Sequence, residues 1–212
     1  MKIYKRKFQF IKKDTILDSI LNTFVSILII NWVFQGIRGM QTKEILFRII
    51  FELSIIILLN LNMNSLLLSI LMTHTLFFLF NCQFWLICRY SFLYKNNLKH
   101  LNLTSKKIIK KIKENHLIKE CVIIGSLGSG SNFINVNSDL DIRFFFNKGF
   151  IDFFNKNIFL TFLRIYSFIN KFPLDLYCYD NIEILNSFNQ KEEIRIIKDT
   201  DKNLKNFINE KK

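Results

Sequence analysis

The sequence predicts an α/β (α+β) protein in which a small mixed-sheet domain, residues 101–212, comes after a helical membrane-associated region, residues 1–100. Three observations predict this. The runs Cys121–Ile124, Leu140–Phe146 and Leu174–Tyr179 are short, apolar and rich in β-branched or aromatic residues, the composition of strands. The stretches on either side of the Leu140 run show helical spacing. Upstream, Leu53 to Cys88 contains no Asp, Glu, Lys or Arg, whereas crossing a bilayer takes about 20 apolar residues.

From the N-terminus, Thr15, Asp18, Ser19, Asn22, Thr23 and Ser26 follow a 3-4 spacing against Ile, Leu, Phe and Val. That pattern predicts one amphipathic helix over about 15–37, lying in a membrane surface or packing its polar stripe on protein. Asn60-Leu-Asn-Met-Asn-Ser65 is a polar, charge-free turn. It splits the apolar stretch into a transmembrane hairpin, about 44–60 and 66–88. Arg48 and Glu52, four apart, are placed to pair on one helix face.

Flanking charges set the orientation. Lys5, Arg6, Lys7, Lys12 and Lys13 precede this region and Arg89, Lys95 and Lys99 come after it, while the Asn-rich turn has no basic residue. The positive-inside bias predicts a protein of the cell membrane, with N-terminus and C-terminal domain both cytoplasmic. The competing reading is a buried all-helical domain. A cleavable signal peptide does not fit, because Asp18 and Asn22 interrupt the apolar region and no small-residue cleavage site succeeds it.

A helix capped by Thr104 or Ser105 is predicted to run to about His116. Ile108, Ile109, Ile112 and Leu117 form its buried side, and Lys106, Lys107, Lys110, Lys111 and Lys113 its exposed side. With a net charge of +13, these lysines suit anionic headgroups beside a membrane region and leave nucleic acid as a second partner. No aromatic residues interleave with them to stack single-stranded bases.

The chemistry-bearing residues lie beyond this helix. Gly125-Ser126 ends the first strand and opens a polar stretch containing Gly128 and Gly130; Asp139-Leu140-Asp141 comes after twelve intervening residues. Strand side chains alternate, so Asp139 and Asp141 share a face. Asp175, on the strand after a helix predicted over 149–170, offers a third carboxylate. Asp180 is an alternative third acid, placed at the strand end to cap the next segment. Hard oxygen ligands so arranged suit Mg²⁺ or Mn²⁺.

This order and spacing resembles the nucleotidyltransferase superfamily typified by DNA polymerase beta, most closely its small, minimal members, over about residues 104–200. The resemblance implies that Gly125, Ser126 and Gly130 hold a nucleoside triphosphate, with Asp139, Asp141 and Asp175 as catalytic and metal-binding residues. It implies transfer of a nucleoside monophosphate to an acceptor hydroxyl with release of pyrophosphate. A membrane-lipid environment points to an acceptor such as a lipid-linked saccharide or a membrane protein. The chain departs from many minimal members in having Ser129, not Arg, before Gly130. That departure suits the alternative expectation, a catalytically inactive module of the same fold.

Other readings are excluded. There is no Gly-Lys-Ser/Thr, and Phe133 stands where a dinucleotide fingerprint needs Gly. No Ser has Gly at both flanking second positions, as a hydrolase elbow requires. Cys82, Cys88, Cys121 and Cys178 lack zinc-site spacing and read as reduced, buried or lipid-facing thiols. His74, His100 and His116 are too dispersed for a triad; His74, between two Thr, reads as a packed, hydrogen-bonded side chain before a functional one. Residues 190–212 are mixed in charge and predict a short helix and a frayed tail.

Overall fold

The computed structural model describes residues 15–35, 37, 39–80, 83–88, 94, 97–125, 138–146, 149–188 and 194–209. Four strands, β1 (Glu120–Ile124), β2 (Leu140–Phe145), β3 (Leu174–Tyr179) and β4 (Ile194–Asp199), form one mixed sheet in the order β3-β2-β1-β4. β1 pairs antiparallel with both β2 and β4, and β2 pairs parallel with β3. The parallel pair requires a crossover, here the helix Phe150–Ile169.

Strand alternation divides the core. Cys121, Ile123, Leu140, Ile142, Phe144, Leu174, Leu176 and Cys178 face one side. They are covered by the helices Leu98–Glu114 and Phe150–Ile169, through Leu101, Ile108, Ile112, Phe153, Leu160 and Leu163. Burying each such side chain contributes about 1.5–3 kcal/mol. The opposite face carries Val122, Ile124, Phe145, Tyr177 and Tyr179 under the 3-10 turn Ile182–Ser187 and the C-terminal helix Asn203–Asn209.

The N-terminal half is helical: α1 (Ile16–Leu21), α2 (Phe24–Phe34), α3 (Thr42–Met63), α4 (Leu66–Phe80) and α5 (Gln83–Cys88). The helices of the sheet domain are α6 (Leu98–Glu114), α7 (Phe150–Ile169) and α8 (Asn203–Asn209). In place of the single amphipathic helix over 15–37 there are two short ones. The polar residues at 3-4 spacing are largely cap pairs: the Thr15 and Thr23 hydroxyls accept from the backbone N–H of Asp18 and Ser26, each opening a helix. Asn22, which donates to Asp18 Oδ1 at 2.7 Å, closes α1.

The expected hairpin is present as α3 and α4, reversed at Asn64, whose φ of 50° is the left-handed conformation that stops a helix. Among the described residues no helix is long and apolar enough to cross a membrane. α4 rises about 22 Å over its 15 residues, and residues 81–82 of the expected segment 66–88 lie outside the described residues. α3 carries Glu44, Arg48 and Glu52. Arg48 pairs with Glu44 at 2.9 Å, not with Glu52, which takes His74 Nδ1 at 2.8 Å. His74 Nε2 meets Trp32 O at 3.0 Å, so this histidine ties α2, α3 and α4 together.

The two halves interlock. Glu44 is fully buried and accepts from Arg164 Nη2 at 2.8 Å and from the Cys178 backbone N–H at 3.3 Å, anchoring α3 to α7 and to the edge strand β3. Tyr179 Oη donates to Gly39 O at 3.0 Å, and Trp85 Nε1 to Phe168 O at 2.9 Å. Asp180 serves this junction: it pairs with Lys43 at 2.9 Å and accepts from Gln41 Nε2 at 2.7 Å. The 3-10 turn after it is capped by Asn181 instead.

α6 begins at Leu98, well before the expected cap at Thr104 or Ser105. Its cap is Asn97, whose side chain accepts from the His100 N–H at 2.6 Å, and Thr104 and Ser105 are buried in the helix interior. The buried stripe Leu101, Thr104, Ser105, Ile108, Ile112 extends the apolar spacing backwards through two hydroxyl residues. Leu117 is exposed, and Ile118 takes the buried place expected of it. Asn97→Ala is expected to lower stability by about 1 kcal/mol in a urea melt.

Candidate functional site

β2 emerges with Asp139 and Asp141 two residues apart, Asp141 half-buried, flanking the buried Leu140. Asp141 is the register partner of Ile124 on β1 and of Asp175 on β3, so the motif acids meet across two strands. Asp141 and Asp175 point to the face opposite α6 and α7, as strand alternation requires, and Asp139 immediately precedes β2.

Gly125 directly succeeds β1 with φ 86°, a left-handed conformation in which an L side chain is strained. Among the described residues, the only atom near a Cβ added there is Asp141 Oδ2, at 3.5 Å, an ordinary contact. Gly125→Ala is therefore expected to cost about 1–2 kcal/mol for conformational reasons rather than by collision, read from the urea midpoint. The other two expected triphosphate-binding residues, Ser126 and Gly130, lie outside the described residues.

Arg143, two residues after Asp141 and so on the same strand face, is a member of the site that motif reading passes over. It is 7% exposed. Its Nη2 meets Asp175 Oδ2 at 3.0 Å, and its Nη1 donates to Asp175 O at 3.3 Å and Ile142 O at 3.1 Å. The guanidinium lies 4.8 Å from the Tyr177 ring centroid and 5.5 Å from that of Phe188. Burial alone would lower its pKa, but the charges of Asp175 and Asp141 outweigh that and raise it. Arg143 is thus a permanent cation holding one oxygen of Asp175. Burial, with Asp175 adding to it, pushes the Tyr177 phenol upward, so Tyr177 stays neutral beneath the guanidinium.

The donor chemistry suits a hard divalent cation: Asp139 and Asp141 bring carboxylate oxygens to the start of β2. Asp175 is adjacent through the β2–β3 register but engaged by Arg143. Among the described residues no three His, Cys, Asp or Glu side chains are grouped to hold a metal ion.

His100 Nε2 meets Asn170 O at 2.9 Å, joining α6 to the end of α7. Lys111 lies 4.8 Å from the Tyr166 ring centroid, so one face of the basic helix is partly engaged with α7. Cys88, Cys121 and Cys178 are buried, and burial pushes the Cys121 and Cys178 thiols up, away from reactivity. Comparison of the chain with protein-family models, with curated proteins and with solved structures finds no match in any of the three.

Proposed function

We propose that this chain is a metal-dependent nucleotidyltransferase acting at a membrane surface, moving a nucleoside monophosphate from a nucleoside triphosphate to an acceptor hydroxyl. The observation that carries the reading is the in-register pair Asp141–Asp175 on parallel strands, beside Asp139 and the left-handed Gly125. Asp139 and Asp141 would hold Mg²⁺ or Mn²⁺, which neutralises phosphate charge as the α-phosphorus is attacked. Gly125, with Ser126 and Gly130 of the adjoining segment, holds the outgoing phosphates through backbone N–H groups.

Asp175 is the base. Arg143 occupies its Oδ2, so Oδ1 accepts the proton of the acceptor hydroxyl. The hydroxyl oxygen then forms a bond to the α-phosphorus as the bond to the β-phosphate bridge breaks, and pyrophosphate leaves. Arg143 holds Asp175 oriented.

Membrane association is supported by the apolar side chains that α1 to α4 leave exposed, among them Ile16, Leu17, Val25, Leu58, Leu61 and Leu67. A patch of this kind seeks lipid or protein cover. The surplus of 13 positive charges suits anionic headgroups, with nucleic acid the other polyanion of that chemistry. A lipid-linked saccharide or membrane protein is the acceptor class this placement favours.

A second reading, a catalytically silent nucleotide-binding or regulatory module, is favoured by one observation: Asp175 is already neutralised by Arg143. The two readings share triphosphate binding. Titration of the full-length protein in detergent with ATP, CTP, GTP and UTP is expected to give saturable binding with Mg²⁺ and none with EDTA. Absence of binding in both conditions contradicts both readings.

A further inference from the structure

A groove of about 640 Å³ lies between α3 and the start of α7. Helical spacing builds both walls: Leu46, Ile50 and Phe51 on α3, and Phe150, Phe153 and Phe154 on α7. Phe47, Phe146 and Phe153 are buried and form its floor, whereas Leu46, Ile50 and Phe150 stand exposed along its rim. The rings hold one another in place. Phe47 meets Phe154 edge to face at 5.5 Å between centroids, Phe146 meets Phe153 at 5.0 Å, and Phe150 stacks on Phe154 at 6.3 Å.

Among the described residues lining the groove, Lys43 has the one charged or hydrogen-bonding side chain. Its Nζ lies 5.5 Å from the ring centroid of Phe146, itself part of the floor, so the ammonium as well as its stem is at the groove. Lys43 donates to Asp180 Oδ2 at 2.9 Å and its side chain is 59% exposed. An ammonium carries three donors, so an anion in the groove meets it without displacing Asp180.

The volume is that of a small-ligand pocket and takes roughly twenty non-hydrogen atoms at about 30 Å³ each. Polar atoms along the body of a ligand would find no side-chain partner in these walls, and burying them unpaired is costly. The fitting molecule is therefore apolar along its length and anionic at one end. Each methylene it moves out of water contributes about fourfold in affinity.

We propose that the groove binds one long-chain fatty acid, its carboxylate on Lys43 and its chain, about sixteen carbons, along Leu46, Ile50, Phe51 and Phe154. Phe146 succeeds the last residue of β2 and Asp180 the last of β3, whereas Asp141 and Asp175 are each the second residue of those strands. The groove is thus at the other end of the sheet from the acids, and the proposal is independent of the activity assigned to them.

Photolabelling of the full-length protein in non-ionic detergent tests it, with palmitate carrying a diazirine on its chain and the labelled peptides mapped by mass spectrometry. Label is expected at residues 46–51 and 150–154. Unlabelled palmitate is expected to displace it at least about fivefold more effectively than hexadecanol, which has the same chain without the charge. Lys43→Gln is expected to remove that preference. Leu46→Trp, which fills the groove from an exposed position, is expected to cut labelling at least about fivefold with the urea midpoint unchanged. Label spread evenly over the exposed apolar residues of α1 to α4, equal displacement by hexadecanol, or labelling unmoved by Leu46→Trp would overturn the proposal. So would a concentration-dependent dimer that Leu46→Trp dissociates, with no label in the groove, which would give the groove to a second copy of the chain.

Discussion

Asp141→Asn is expected to lower kcat/KM for nucleotidyl transfer about a hundredfold or more while leaving the fold intact. The size reflects the role: altering the surroundings of a metal ligand already costs 10–100-fold, and losing a group that stabilises developing charge costs 10²–10³-fold. Asp141 stands between both neighbours, opposite Ile124 on one side and Asp175 on the other, so its charge reaches the whole site. Asparagine keeps the shape and removes the charge from a half-buried cluster of like charges. Urea unfolding is therefore expected to change by about 1 kcal/mol or less. A large loss of stability with the loss of transfer would instead make Asp141 a structural residue.

Glu44→Ala is expected to be the most destabilising single change in the chain, by about 3–5 kcal/mol. It strands the Arg48 and Arg164 guanidinium groups and the Cys178 N–H, all of which now meet one fully buried carboxylate. Domains of this kind have only about 5–15 kcal/mol in total. The same residue gives a pH dependence whose sign is fixed. Burial tends to raise its pKa, but Arg164 and Arg48 outweigh burial and hold it below the ordinary 4.5. The folded state therefore binds fewer protons at this site than the unfolded chain does. Its contribution is complete above pH 4.5 and is lost as pH falls below that value toward the folded pKa. Urea midpoints between about pH 3 and 7 are expected to fall toward acid less steeply in Glu44→Gln than in the parent protein.

Glu44 also shows what one-dimensional reading misses. Its charge places it near a helix start, and nothing in the sequence ties it to Arg164 or to Cys178, more than a hundred residues away. Buried Lys156, which bonds Asp152 and Phe145 O, is similar: its place on the α7 core stripe is legible from spacing, its partners are not. By contrast β1, β2 and β3 are legible because each is a short apolar or cleanly alternating run, and α7 because Phe153, Leu160 and Leu163 keep one face. β4 escapes sequence reading for a physical reason. Cys121 pairs with Lys198 but Val122 with Ile196, a bulge that breaks the two-residue period and hides the strand within a mixed-charge segment.

At the site, alternation alone predicts Asp139, Asp141 and Asp175 on one face, and the structure sets Asp141 and Asp175 in register with Asp139 just before β2. Arg143 is legible by the same rule, since it lies two residues from Asp141, but a search for acids passes over it. The pairing of Arg143 with Asp175 depends on the parallel β2–β3 register, which composition cannot supply.

The most direct test tracks the α-phosphate. The full-length protein in detergent, with Mg²⁺ and a membrane extract, is incubated with each nucleoside triphosphate labelled at the α-phosphorus, beside the Asp141→Asn protein. The account predicts label on a lipid, saccharide or protein acceptor, one pyrophosphate released per label transferred, and neither in the variant. Equal labelling by the variant, or triphosphate binding without any transfer, would contradict it.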